Sequence, residues 1–311
     1  MVDHMRFYLA DQIDILESSQ RSGFKDKDLV ETCIEAVQDA WEFAIKPRMT
    51  TIRDSQISDV AMKDGVDFFT EADIESERVI KEVFSRRFGA NELRLFGEEA
   101  GEYEGNLEAP ITIRIDPIDG TANFKFGKPG WGIMVGAYEG REQNERQIVS
   151  ATYFPEYYEE IIFRIAAHVY KADLRTGEVT QFRDIEEQNN PREVIVSCHK
   201  NDVFERRGSI EKVCEEIERR NIRIHSGGPA NTKEAIETRG RRIIMIEGDY
   251  DQVDFILYSA LVALGYRIFD FDGTARNVDD PAISYSNFLL VPPGTVGDTI
   301  REIIRDLYKR K

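Results

Sequence analysis

The stretch from Ile115 to Phe124, IDPIDGTANF, constrains this chain more than any other. It follows the run Ile111 to Ile115 (ITIRI), whose apolar density reads as a buried strand. Asp116 and Asp119 stand three residues apart, with Gly120 and Thr121 directly behind them. A strand that ends in an acidic turn and a glycine presents its carboxylates at the end of a sheet. Two readings are open at this point. Asp119-Gly120 between hydrophobic runs is a strong signal for a tight hairpin. A hairpin, however, needs neither Asp116 nor the Gly-Thr pair. Two carboxylates this close also repel each other unless a positive charge sits between them, and the second reading is therefore a cation site.

Bulk properties narrow the field. At 311 residues the chain forms one large domain or two small ones, and 41% hydrophobic residues supply a sizeable core. A formal net charge of −17 sets aside nucleic acid and anionic membrane as partners. Cys33, Cys198 and Cys214 are odd in number and far apart, with neither a disulfide framework nor zinc spacing. They read as reduced thiols of a cytoplasmic protein. His4, His168, His199 and His225 form no spaced pair, which argues against a histidine-based zinc site or triad. The acidic start MVDHMRFYLADQID is not a signal peptide, and no run approaches a membrane span.

In chain order, residues 1–24 read as a polar extension. From Asp28 the positions Leu29, Val30, Cys33, Ile34, Val37, Trp41, Ala44 and Ile45 recur with helical spacing until Pro47 ends the pattern. A second helical run covers Ile74, Val79, Ile80, Val83 and Phe84. Thr70 and Asp73 stand at its start as a capping box, after the polar loop residues Lys63 and Asp67. A short strand, Leu93 to Phe96, runs into GEEAG, whose Glu98 and Glu99 read locally as a solvated acidic turn. Strands follow in WGIMVGAYEG, QIVSATYF and EEIIFRIA, then a hairpin around Arg175-Thr176-Gly177. The polar stretch 184–192, with Pro191, marks a boundary between halves at 25–188 and 189–311. The second half alternates strand and helix, with Pro229 opening a helix after Ser226-Gly227-Gly228 and an apolar helix running from Asp254 to Leu264. This order predicts an α/β layer of helices against sheet.

Carboxylates therefore gather at four places at strand ends or helix starts: Asp67/Asp73, Glu98/Glu99, Asp116/Asp119, and Glu247 with Asp251 and Asp254. Hard oxygen donors without His or Cys select Mg²⁺, Ca²⁺ or Mn²⁺. Two Mg²⁺ ions about 3.5–4 Å apart can share one carboxylate and clamp an in-line displacement at phosphorus. Asp116 is placed to bridge and Asp119 to reach the second ion. Water activated by the ions is the expected nucleophile, with Thr121 and Asp73 available to orient it.

DFFTEAD, FGEEAG and IDPIDGTANF, in this order and spacing, resemble the inositol monophosphatase-like Mg²⁺-dependent phosphatases. The resemblance covers the chain from about residue 25 onward. It implies a layered αβαβα sandwich of mixed α/β class and a phosphomonoesterase using two or three Mg²⁺ ions, with Mn²⁺ able to substitute. By the same resemblance Glu98 is a first-site ligand, Asp116 is shared by both ions, the Ile118 carbonyl completes the first site and Asp119 serves the second. Thr121 and Asp73 match the pair that orients the attacking water, and the Gly120 and Thr121 amides would hold the phosphate. Gly228, Pro229 and Ala230 match the segment lining the substrate ring, and Glu247 matches an acceptor of substrate hydroxyls. The family's last ligand opens a buried helix as Trp-Asp followed by small residues, whereas this chain reads QVDFILYSALVALGY. Asp254 fits because it lies seven residues after Glu247; Asp251 is the alternative. Phe255, Ile256 and Leu257 put bulk near the second ion or into helix packing. The expected substrate is a small phosphorylated polyol or sugar such as an inositol monophosphate. A bisphosphate nucleotide, fructose bisphosphate, or a non-catalytic ion- or phosphate-binding role are the alternatives. Weak Li⁺ inhibition and a homodimer are further implications of the resemblance.

Overall fold

The computed structural model describes residues 20–21, 23–54, 61–63, 67–89, 91–141, 145–156, 158–190, 195–200, 215–219, 223–226, 230–239, 241–247, 253, 255–277 and 288–309. The chain divides into two compact units, Met1–Phe182 and Arg183–Lys311. Each combines sheet and helix, so the fold is of the mixed α/β class that the element order predicts. Among the described residues no helix is long and apolar enough to cross a membrane.

The first unit is built on a sheet whose strands run in the order Glu178–Gln181, His168–Asp173, Glu160–Ile165, Arg146–Phe154, Gly132–Glu139, Ile111–Asp119, Arg94–Gly97, Tyr103–Gly105. Neighbours are antiparallel except Arg94–Gly97, which runs parallel to Ile111–Asp119. Side chains alternate across a strand. Ile111, Ile113 and Ile115 therefore share one face and pack with Leu29, Val37, Ile80 and Phe84 of the helices Asp26–Asp39 and Glu71–Phe88. Thr112, Arg114 and Asp116 take the opposite face and are also buried. Burying each of the large apolar side chains contributes about 1.5–3 kcal/mol. The helix expected to run unbroken to Ile45 is α-helical only over Asp26–Asp39 and continues as a π-helical turn, Ala40–Ile45. The wider turn adds a residue to the repeat, which re-phases the helix so that Ala44 and Ile45 both enter the core. Trp41 lies 6.0 Å from Trp131.

The second unit carries a sheet ordered Arg223–Ser226, Ile195–Lys200, Arg242–Glu247, Phe288–Val291, Arg267–Asp270, Ala275–Arg276. The first three strands are mutually parallel and the rest pair antiparallel. Ile243, Phe269, Leu289 and Val291 form its core with Val296, Ile300, Ile303 and Ile304 of the closing helix Thr295–Lys309. Gln188 is tied into this unit. Its N–H donates to the Pro293 carbonyl at 2.7 Å, and its own carbonyl accepts from the Val296 N–H at 3.0 Å. Gly294 makes that approach feasible: its φ is +108°, and a Cβ there would lie 2.5 Å from the Gln188 nitrogen. The apolar helix begins at Phe255, and Phe255, Ile256 and Leu257 are all buried. The Phe255 ring sits 5.0 Å from Phe288 and 5.7 Å from Tyr258. The bulk of these residues is thus taken up by packing inside the unit.

Candidate metal and phosphate site

The strand Ile111–Asp119 stays in register with Gly132–Glu139 as far as Asp116 opposite Met134, then slips and rejoins at Asp119 opposite Gly132. Three steps on one strand face two on the other, which is a β-bulge, a device that re-aims side chains beside active sites. Pro117 sits in the slip, where a missing N–H costs no ladder bond. Its carbonyl accepts from the Ser76 hydroxyl at 3.4 Å. Gly120 then turns the chain through φ +84°, a left-handed conformation open to glycine, into the short helix Thr121–Lys125. The tight-hairpin reading of Asp119-Gly120 is thereby excluded: the strand is followed by a helix.

The capping box at the start of Glu71–Phe88 is present in full. Asp73 Oδ2 accepts from the Thr70 N–H at 2.7 Å and the Thr70 hydroxyl at 2.6 Å, and Thr70 Oγ1 accepts from the Ala72 N–H at 3.2 Å. The other carboxylate oxygen faces the site. The Thr121 hydroxyl lies 2.9 Å from the Ile118 carbonyl and 3.3 Å from Asp73 Oδ1. One hydroxyl hydrogen serves either acceptor, so Thr121 links the helix start to the bulged strand end. Asp73 thus caps its helix with one oxygen and meets Thr121 with the other.

The helix also departs from its apolar spacing. Ile74 is 52% exposed, while Asp73, Ser76 and Glu77 are buried. The first two turns thus bury a polar stripe, which gives way to Ile80, Val83 and Phe84. Glu98 follows the Arg94–Gly97 strand, and its N–H donates to the Ile115 carbonyl at 3.1 Å, which ties the acidic turn to the residue before Asp116. The Glu99 N–H donates to Glu77 Oε2 at 2.8 Å. Glu77, Ser76 and the bulge at Pro117 do not stand out in the sequence pattern. The i+4 spacing of Glu77 from Asp73 was the available signal for Glu77.

The carboxyls act on one another. Burial pushes Asp73 well above the ordinary aspartate range; the Thr70 hydrogen bonds offset part of this, and the charges of Glu99 and Glu98 add to it. Burial, and then the charge of Glu98, pushes Asp119 up to about 8. Asp116 is 1% exposed. Carboxyls that hinder one another's ionisation form the all-oxygen donor set that hard divalent cations take. Among the described residues no three His, Cys, Asp or Glu side chains converge tightly enough to enclose an ion by themselves.

Glu247 closes the Arg242–Glu247 strand and Ala230 opens the Ala230–Glu237 helix. Gly228, Pro229, Asp251 and Asp254 lie outside the described residues, as does residue 1–19 of the expected extension.

Known proteins resemble parts of this sequence and its fold. Caulobacter vibrioides inositol-1-monophosphatase is 33% identical over 97 residues, 31% of this chain and 35% of that protein. Chlorobaculum parvum histidinol-phosphatase is 43% identical over 67 residues, 21% of this chain and 24% of that protein. The chain thus spans about a third or less of the length of these curated relatives. The solved structure of the Thermotoga maritima IMPase superposes with a TM-score of 0.67 at 20% identity, covering 91% of this chain and 99% of that one; the likeness is one of fold. Residues 24–248 match the inositol monophosphatase family as a whole, a span that takes in the capping box, the acidic turn and the bulged strand end, and the chain belongs to that family.

Proposed function

We propose that the chain is a divalent-metal-dependent phosphomonoesterase acting on a small phosphorylated polyol or sugar of the inositol monophosphate kind. The observation that carries this reading is the link between Asp73, Thr121 and the Ile118 carbonyl at the end of the bulged strand. Glu98, Asp116, the Ile118 carbonyl, Asp119 and Asp254 are the proposed ligands for two or three Mg²⁺ ions. When bound, such ions lower the pKa of water and stabilise charge on a phosphoryl group.

The chain's own residues then have separable tasks. Thr121 donates its hydroxyl hydrogen to Asp73, which leaves its oxygen lone pairs to accept from the attacking water. Asp73, already pushed toward holding a proton by its burial, is suited to receive the one that water gives up. The Gly120 and Thr121 amides hold the phosphate. Gly228, Pro229 and Ala230 line the ring, and Glu247 accepts its hydroxyls.

The names of the relatives support a phosphomonoester but differ in the alcohol, inositol in one and histidinol in another. Fructose bisphosphate and adenosine bisphosphate are the alternative substrates, and a non-catalytic ion- or phosphate-binding role is the alternative to catalysis. Catalytic efficiencies on these four, measured in Mg²⁺, test the reading: inositol monophosphate should rank first, and a higher efficiency on histidinol phosphate or a bisphosphate would reassign the substrate.

A further inference from the structure

We propose that Glu77 is a positioning residue that sets the Gly97–Glu99 turn, and through it the angle at which Glu98 meets a divalent cation. The role rests on the metal-dependent reading above. Four observations converge on it. Glu77 is 4% exposed, although a glutamate in a surface helix ordinarily points to water. Its Oε2 takes the Glu99 N–H at 2.8 Å, so this oxygen grips the backbone beside Glu98. Gly97 makes room for that grip: a Cβ there would lie 2.1 Å from the Glu77 carboxyl carbon and 2.3 Å from both its oxygens. Finally, Lys81, one turn on, donates to Glu77 Oε1 at 2.7 Å and also pairs with Glu104.

The charge arrangement explains why a carboxylate is tolerated here. Asp73 and Asp119 already feel the charge of Glu98, and another bare carboxylate would add to that repulsion. Lys81 pairs with Glu77. Burial alone would lower the lysine pKa, yet its bonds to Glu104 and Glu77 leave it raised. Glu77 therefore contributes an acceptor whose charge is compensated in part by Lys81. It also sits four residues after Asp73 on the same helix, so one rigid element sets both the water-orienting Asp73 and the turn that bears Glu98. A surrounding hydrogen-bonded shell of this kind fixes how ligands meet a metal.

Two conservative substitutions separate positioning from a merely structural ion pair. Glu77→Asp keeps the charge for Lys81 but withdraws the acceptor from the Glu99 N–H. Glu77→Gln keeps an acceptor and drops the charge, with Glu104 remaining as partner to Lys81. Mn²⁺ binding to the metal-free full chain, measured by calorimetry, is the readout. Glu77→Asp should weaken Mn²⁺ binding roughly 10–100-fold and Glu77→Gln by no more than about threefold, the span expected for residues that orient metal ligands. Gly97→Ala, which alters no charge, should behave like Glu77→Asp. KM for substrate at saturating metal should stay at its wild-type value in all three. Wild-type affinity in both Glu77→Asp and Gly97→Ala, or a Glu77→Gln weaker than Glu77→Asp, would overturn the positioning role while leaving the phosphatase reading intact. Absence of Mn²⁺ binding by the wild-type chain would overturn that reading and this role with it.

Discussion

Loading the site with a cation should expel a proton, and Asp119 sets how many. Burial and the charge of Glu98 raise this carboxyl from the ordinary 3.8 to about 8. One pH unit below a pKa is a tenfold ratio, so at pH 7 Asp119 carries about 0.9 of a proton, and at pH 9 about 0.1. A ligating carboxylate must be ionised. Mg²⁺ binding at pH 7 should therefore release close to one proton from Asp119. The sign for stability follows. A carboxyl raised in the folded state favours the metal-free fold most below about pH 4, and that contribution is lost as pH climbs through about 8. Added Mg²⁺ should thus raise the melting temperature more at pH 9 than at pH 6. Calorimetric titration of Mg²⁺ at pH 7 in two buffers of different ionisation enthalpy counts the protons directly, and Asp119→Asn should lower the count by about one. Identical heats in both buffers would refute the coupling of Asp119 to the ion.

Two further outcomes follow from particular residues. Asp254→Ala should raise the Mg²⁺ requirement for phosphate release more than Asp251→Ala does; the reverse order would move the last ligand to Asp251. Arg53 pairs with both oxygens of Glu156 and donates to the Phe124 carbonyl at 3.1 Å, while Lys125 donates back to the Ile52 carbonyl. The helices Met49–Asp54 and Thr121–Lys125 thus hold each other. Arg53→Met should cost about 1.5–3 kcal/mol in chemical denaturation, the worth of hydrogen bonds to a charged group, and an unchanged midpoint would show that this clamp contributes nothing.

Local signals were legible in the sequence and long-range geometry was not. Thr70 and Asp73 announce a capping box because its geometry is confined to one turn. The strand through Ile111, Ile113 and Ile115 is readable because its core side chains alternate. The bulge at Pro117 depends on the partner strand, so Asp119-Gly120 read locally leaves a hairpin open beside a cation site; the slip against Met134 and Gly132 and the helix that follows exclude the hairpin. The π-helical turn at Ala40–Ile45 answers to packing partners far away in sequence. Glu77 hid for another reason: a glutamate one turn past a cap reads as a solvated face, and only its bond to the Glu99 N–H and the bare Gly97 beside it show otherwise. Phe255 reads from sequence as bulk near an ion or in helix packing, and its contact with Phe288 favours packing.

The proposed function depends above all on Asp116 as the carboxylate shared between ions. Release of inorganic phosphate from inositol 1-phosphate, with and without Mg²⁺, for the wild-type chain and Asp116→Asn, tests it most directly. A chelator should abolish the release and Asp116→Asn should lower it by roughly 10²–10³-fold, the scale on which removing one preorganised electrostatic group reduces turnover. No release by the wild-type chain in either Mg²⁺ or Mn²⁺, or equal turnover in Asp116→Asn, would contradict it.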